Sequence, residues 1–160
     1  MSDAEVNAIM AISPTLSAAL AGIPADVDLL DLGEDEPIPG VASLHTIVSL
    51  MCGITGVKLA KTMKVLHKKR PLLLPILDNV LQNHYWPHHR DAMRRATWCV
   101  YAADSIRMFH LDMISVEDEL RRLRDWTVAH GTPLSHCRIL DALIWAVRTG
   151  KSKFYRELGV

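Results

Sequence analysis

Residues 54–78, ITGVKLAKTMKVLHKKRPLLLPILD, combine a turn, a basic helix and two proline breaks, and the helical organisation of the chain can be worked out from them. A glycine-containing turn, 54–57, leads into a basic helix over about 58–68. Pro71 keeps Arg70 out of the α region, so this helix must end nearby. Pro75 fits the first position of a following helix that extends through Trp86. Two helices joined by a tight turn, with a proline break behind them, indicate a helical domain.

Helical patterns also cover the remainder of the chain, because apolar residues recur with a 3.6-residue period. No period-two strand and no Asn-Gly hairpin interrupts them. Ser13 and Ser115 are the predicted N-caps of two helices. Three tryptophans in apolar helical settings are predicted to be core residues: Trp98, Trp126 and Trp145. The predicted helices, besides those named above, are 3–11, 14–21, 41–51, 88–111, 116–130 and 134–149.

We therefore predict an all-α fold, a single compact domain of seven to nine helices spanning 1–160. Its parts are an acidic N-terminal portion with a loop (1–40), a hairpin-containing region (41–86) and C-terminal helices (87–160). A chain of 160 residues can bury a sizeable single core. The loop at 33–40, GEDEPIPG, is short enough to lie within that domain.

Composition excludes several classes of protein. Apolar residues make up 49% and charged residues 22% of the chain, as in ordinary globular proteins. No apolar run reaches the roughly 18 residues of a membrane span, and no basic segment precedes an apolar one at the N-terminus, so we expect a cytoplasmic protein without membrane partners. The three cysteines, Cys52, Cys99 and Cys137, form no CxxC pair, so neither a disulfide framework nor a cysteine zinc site is expected. No cofactor is predicted.

Charge is distributed unevenly along the chain, although the formal net charge is zero. The first 50 residues contain no Lys or Arg, and the remaining 110 hold all 18 of them against ten acids. The net charge of zero is therefore the sum of an acidic front third, residues 1–50, and a basic remainder, residues 51–160. The acids of that front third are Asp3, Glu5, Asp26, Asp28, Asp31, Glu34, Asp35 and Glu36.

The basic helix presents a candidate surface for nucleic acid. Residues 58–70 carry six cations and no acid, and four of the lysines recur every three or four residues, on one stripe. A phosphate near the start of this helix would meet free N–H groups and ammonium groups together. The alternative is an ordinary solvated helix face. The predicted DNA-binding residues are Gly56, Val57, Lys58, Lys61, Lys64, Lys68 and Arg70.

The turn and the segment after it, KRPLLLPILDNVL (69–81), resemble the helix-hairpin-helix region of the HhH-GPD DNA glycosylases over about 60 residues. That region has an apolar-x-Gly-apolar-Gly hairpin, a helix, a proline-containing segment and an aspartate about twenty residues beyond the hairpin. Asp78 lies at that spacing from Lys58. The chain from IPADVDLLD (23–31) through residue 81 also resembles a group of small, uncharacterised proteins found mainly in actinobacteria.

The glycosylase resemblance implies that Asp78 is the catalytic carboxylate and that Gly56 and Val57 grip a DNA backbone phosphate. The sequence departs from the pattern, since Lys58 replaces the second hairpin glycine and Ala60 stands where bifunctional members carry a lyase lysine. A shifted register would place Lys58 at the lyase position instead. The alternative role of Asp78 is an acid in the first turn of a helix, where it favours the macrodipole.

Two further interpretations remain open at the level of sequence. The block HYWPHHR (84–90) carries His84, His88 and His89, but Pro87 interrupts the helical i, i+4 spacing that a metal site needs, so no metal is expected. Arg90, Arg94 and Arg95 could extend a phosphate-binding surface.

The alternative to DNA binding is a helical interaction or self-associating domain, in which the acidic front third meets the basic stripe within one chain or in a homo-oligomer.

Overall fold

The computed structural model describes residues 2–85 and 97–150, and within these ranges the chain is helical, without strands. The predicted all-α fold of seven to nine helices is confirmed. A short 3₁₀ helix covers Leu29–Asp31. Within the described ranges the α-helices are α1 (Asp3–Ala11), α2 (Ser13–Ala21), α3 (Val41–Cys52), α4 (Leu59–Lys69), α5 (79–85), α6 (Trp98–Ser115), α7 (Glu117–Ala129) and α8 (His136–Arg148).

The core forms around α3 and α6, which pack against each other, while α2 and α4 pack on α3. Four apolar residues of α3 recur at helical spacing and are at most 4% exposed: Leu44, Ile47, Val48 and Met51. α6 contributes Tyr101, Ile106 and Phe109 to the same core. This helix continues to Ser115, beyond the predicted end near Leu111, because its last turn still buries Met113.

The N-terminal helices α1 and α2 meet at a bend of 62°. α1 opens with a capping box, in which Ser2 Oγ accepts from the Glu5 N–H and Glu5 Oε2 accepts from the Ser2 N–H. The prediction of Ser13 as an N-cap is wrong, because Ile12 alone separates the two helices and occupies that position. Among the described residues, no single helix has both the length and the apolar composition to cross a membrane; the α1–α2 pair meets that test only as a bent unit.

The acidic N-terminal portion is built into the core rather than separate from it. Leu29 and Leu30 are buried, and the Leu29 N–H donates to the Leu72 carbonyl at 3.1 Å. The buried carboxylate of Asp28 lies 2.9 Å from His136 Nδ1 and also accepts from Arg124. These bonds connect the front third of the chain to α7 and α8.

The segment between α4 and α5 is irregular, and the prediction that Pro75 begins a helix is wrong. Residues 74–78 have no regular structure, and α5 starts at residue 79. Leu74 and Leu77 are buried here, with exposed fractions of 1% and 0%. Burial of these two leucines in non-helical backbone therefore overrides the helix-starting preference of the proline.

Several expectations for the C-terminal helices are also corrected. Ser115 does not cap α7, because its hydroxyl donates to the Asp112 carbonyl and Val116 takes the N-cap position. The three tryptophans predicted to be core are partly exposed, with fractions of 43%, 45% and 36% for Trp98, Trp126 and Trp145. Residues 86–96 and 151–160, which include His88, His89 and the arginines at 90, 94 and 95, lie outside the described ranges.

Candidate nucleic-acid interface and adjoining cleft

The predicted turn between α3 and α4 is present. The Val57 N–H donates to the Ile54 carbonyl at 3.0 Å, which closes a four-residue turn. Gly56 occupies the third position with φ of 86°, the left-handed conformation that a type II turn requires there and that glycine adopts without steric cost.

Two residues of this turn are nevertheless poor partners for a phosphate. Val57 is 2% exposed and its N–H is already bonded within the turn, so it offers a phosphate little contact surface. Gly56 faces Glu5 of α1, since a Cβ added to the glycine would lie 2.3 Å from Glu5 Oε1. An acidic side chain therefore stands where the anion was predicted to bind.

Lys61 is held by the same neighbours. Its ammonium donates to Glu5 Oε1 at 2.8 Å and to the Gly56 carbonyl at 2.9 Å, which ties α4 to α1 and to the turn. The hydrogen bond from Lys61 lowers the pKa of the Glu5 carboxyl. A phosphate at Lys61 would have to compete with this ion pair.

The remaining lysines of the stripe are exposed. Lys58, Lys64 and Lys68 point away from the buried face of α4, which is formed by Leu59, Met63 and Leu66. None of the three forms a salt bridge with a residue in 2–85 or 97–150. Lys58 is the N-cap of α4 and provides no side-chain hydrogen bond to its first turn. We call Lys58, Lys64 and Lys68 the lysine face.

Arg70 is not part of this face, because its guanidinium is engaged with main-chain carbonyls. Its guanidinium donates to the carbonyl groups of Leu20, Ile23 and Lys69. These carbonyls lie at the end of α2, just after it and in the last turn of α4. Arg70 therefore joins the end of α2 to the end of α4 through main-chain carbonyls.

Asp78, the predicted catalytic residue, is the N-cap of α5. Its Oδ1 accepts from the N–H groups of Val80 and Leu81 at 2.8 and 3.1 Å, which is the bonding that an aspartate cap provides. The structural alternative for this residue, an acid at a helix start, thus has a direct geometric basis. The same side chain also lines a cleft, so its capping role does not remove it from a site.

The cleft lies between α4, the segment before α5 and α8, and encloses about 410 Å³. It brings together two predicted site residues, Lys64 and Asp78, with three that the sequence did not single out for this site: Arg138, Asp141 and Trp145. The α8 residues that face it are spaced at i, i+3, i+4 and i+7, which places them on one side of the helix. The lining residues are Lys64, Ile76, Asp78, Arg138, Asp141, Ala142 and Trp145.

Asp141 is the most perturbed group in the cleft. It is 3% exposed, and burial raises the pKa of its carboxyl from 3.8 to about 6. The adjacent Arg138 guanidinium, which forms an ion pair with it, opposes that rise, while the nearby Asp78 carboxylate adds to it. A carboxyl with a pKa near 6 can exchange a proton at physiological pH, and perturbed groups of this kind are enriched at functional sites.

A sequence signal for Asp141 exists in retrospect. The residue interrupts an otherwise apolar run, ILDALIWAV (139–147), on the face of α8 that also carries Cys137 and Ile144. An ionisable residue on a buried helix face needs a partner or a function. Within the described residues, no group of three or more His, Cys, Asp or Glu side chains is arranged to hold a metal ion.

The family model for a family of unknown function (DUF6308) matches residues 2–148. The chain belongs to this family. No curated protein and no solved structure matches the chain. Because the match runs from α1 to the end of α8, both the lysine face and the cleft lie inside the family domain.

Proposed function

We propose that this member of the family is a DNA-associated protein that binds the sugar–phosphate backbone through the lysine face. The observation that carries the proposal is the exposure of Lys58, Lys64 and Lys68 on one side of α4, without a salt bridge to any described carboxylate. Lys64 and Lys68 are separated by one helical turn, about 6 Å along the axis. Such a row of ammonium groups attracts a polyanion with little dependence on its sequence.

Arg138 extends this surface on the far side of the cleft from α4. Its side chain is 45% exposed even though it pairs with Asp141. A guanidinium has five N–H donors, so the ion pair leaves donors for a phosphate. A backbone that follows α4 past Lys64 would therefore meet a second cation across the cleft.

The test is the affinity for duplex DNA, measured by fluorescence anisotropy between about 50 and 200 mM salt. The wild type should show a log-affinity that falls linearly with log salt concentration. Replacing Lys58, Lys64 and Lys68 with glutamine should reduce the magnitude of that slope by about three, because three phosphate contacts are lost. A matched variant with Arg107, Arg121 and Arg122 replaced by glutamine, three exposed cations on α6 and α7, should leave the slope nearly unchanged.

Absence of salt-dependent binding in the wild type would refute the proposal. Equal losses in the two triple variants would also refute it, because the effect would then follow from net charge and not from the lysine face.

The resemblance to DNA glycosylases adds an enzymatic form of this proposal, in which Asp78 assists base release. Asparagine serves as an N-cap about as well as aspartate does, whereas alanine costs about 1 kcal/mol. Asp78→Asn should therefore leave stability nearly unchanged and abolish base release, if the protein releases bases. Base release that persists in Asp78→Asn would assign the residue to capping alone.

The second candidate is an interaction domain that does not bind nucleic acid. It is favoured by the pairing of front-third acids with later basic residues: Glu5 with Lys61, and Asp31 with Arg121, both at 2.8 Å. These contacts lie within one chain. If they are exchanged between chains, sedimentation velocity should show a dimer that dissociates as salt rises; a monomer at low and high salt would exclude that arrangement.

A further inference from the structure

A second cavity, which shares no residue with the cleft, lies where α1, α2, α3 and α4 meet, and we call it the four-helix pocket. It encloses about 240 Å³. Ile47, Met51 and Leu66 are at most 4% exposed and form its floor, whereas Val65 is 44% exposed and lies at its mouth. The lining residues are Ile9, Leu16, Leu20, Ile47, Met51, Thr62, Val65, Leu66 and Lys69.

The accessible wall of the four-helix pocket is apolar. The hydroxyl of Thr62, a lining residue, donates to the Lys58 carbonyl within α4 and is not available to a ligand. An apolar cavity of this kind holds water poorly and takes up apolar ligands. The polar end of any ligand must therefore lie outside the pocket, at its mouth.

The size of the pocket favours one narrow chain. Its volume lies below the range of drug-sized sites, about 300–1,000 Å³. A helix is about 10–12 Å across with its side chains, so only one or two side chains of a partner helix could enter. A single hydrocarbon chain can enter along its length and contact walls from all four helices.

Lys69 gives the mouth a positive charge. Its aliphatic stem contributes to the apolar wall, and its ammonium remains in water, as is usual for a lysine beside an apolar surface. Lys69 forms no salt bridge with a residue in 2–85 or 97–150. Helices α2, α3 and α4 carry no acid, and in the first turn of α1 Glu5 is engaged by Lys61. An anionic polar end therefore complements the mouth.

We propose that the four-helix pocket binds the hydrocarbon chain of a fatty acid and that Lys69 pairs with the carboxylate of that fatty acid. The chain runs from the mouth towards Ile47 and Met51. Each methylene that it buries should tighten binding about fourfold. The exposed ammonium–carboxylate pair should add about threefold. This proposal does not depend on DNA binding, because the lysine face contributes no residue to the pocket.

Isothermal titration calorimetry of the full chain with hexanoate, octanoate and 1-octanol tests the proposal. Octanoate should bind with one-to-one stoichiometry and about fifteenfold more tightly than hexanoate, because it buries two more methylenes. Lys69→Gln should weaken octanoate about threefold and leave 1-octanol unchanged. Lys68→Gln, which removes the neighbouring exposed ammonium on α4, should leave both affinities unchanged.

A second pair of variants tests the apolar wall. Val65→Asp should weaken octanoate at least tenfold, because it places a carboxylate in the wall, one helical turn before Lys69. Val128→Asp, at another exposed valine, on α7, is the matched control and should leave the affinity unchanged. Both sites are exposed, and circular dichroism should establish that the variants are folded.

Several results would overturn the proposal. They are the absence of saturable octanoate binding, equal affinities for hexanoate and octanoate, and equal effects within either pair of variants. Sedimentation velocity tests the other occupant, a second copy of the chain. A wild-type dimer that Val65→Asp dissociates and octanoate leaves intact would assign the pocket to self-association and refute a fatty-acid site. None of these results bears on the lysine face.

Discussion

Replacing Asp141 with asparagine should stabilise the protein above pH 7 and have a smaller effect in acid. Asparagine has nearly the same shape as the protonated aspartate and stays neutral at every pH. The wild-type carboxyl is buried, and its pKa is raised from 3.8 to about 6, so the folded state binds its proton more tightly than the unfolded state does. For such a group, stability falls as pH rises from about 4 to about 6 and is then constant.

The magnitude follows from that pKa difference. A change from 3.8 to about 6 corresponds to about 3 kcal/mol lost by the wild type at pH 8. Near pH 4.5, where the pH has crossed only part of the gap between the two pKa values, the loss is about 1 kcal/mol. The pKa of about 6 already includes the attraction between the Arg138 guanidinium and the Asp141 carboxylate. Asp141→Asn should therefore gain about 2 kcal/mol more at pH 8 than at pH 4.5.

Urea denaturation of both proteins at the two pH values measures this double difference. Other groups that titrate in this range cancel, because they are shared by the two proteins. In a thermal scan, the advantage at pH 8 should appear as a rise in Tm of several degrees. A stability difference that is the same at both pH values, or a less stable asparagine variant at pH 8, would refute the assignment of a destabilising buried charge to Asp141.

Three other experiments, two with variants and one with a thiol label, test separate parts of the structure. Gly56→Ala should lower stability by about 1–3 kcal/mol in urea denaturation, because φ is positive and the new Cβ would displace the Glu5 carboxylate; Gly131→Ala, where φ is also positive but the space is open, should cost only about 1 kcal/mol. Equal losses would contradict the contact. Glu5→Gln should free Lys61 and steepen the salt dependence of DNA binding by about one; an unchanged slope would mean that Lys61 stays away from DNA. Iodoacetamide at neutral pH should label Cys99 before Cys137, as read by mass spectrometry. Burial raises the pKa of the Cys99 thiol, but hydrogen bonds with Ser49 and Thr97 lower it by more, so the net shift is downward. Burial raises the pKa of the Cys137 thiol, which therefore forms less of the reactive thiolate. Labelling of Cys137 first would contradict this order.

Local sequence patterns were sufficient to predict the turn and most of the helices, although not the start of α5 or the N-caps of α2 and α7. The bend at Gly56 is set by four consecutive residues, and the buried face of α3 follows from the spacing of its apolar side chains. Both features depend on neighbours in the chain, so periodicity and glycine placement identify them. The same holds for the exposure of Lys58, Lys64 and Lys68, which face away from the apolar side of α4.

Features that depend on distant residues were not predictable in this way. The sequence grouped Arg70 with the exposed lysines, but in the structure its guanidinium bonds to the carbonyls of Leu20 and Ile23, about fifty residues earlier in the chain. The Glu5 side chain that covers Gly56 is equally remote in sequence. The cleft combines α4 with α8, and only the packing of these helices brings Asp141 near Lys64. Where a long-range partner decides whether a charged side chain is engaged, the sequence pattern alone is not enough to assign its role.

The zero net charge of the chain is therefore a weak argument against binding a polyanion. Glu5 engages Lys61, while Asp28 and Asp31 engage Arg124 and Arg121 of α7. These acids neutralise basic residues locally, and at the distance of a Debye length, about 10 Å, such pairs contribute little field. The lysine face forms no salt bridge among the described residues, although Lys64 shares its cleft with the carboxyl groups of Asp78 and Asp141, so the field of this face is only partly cancelled at close range. A ligand responds to that local field and not to the sum over the chain, which is why the salt dependence of binding, and not the isoelectric point, decides the question.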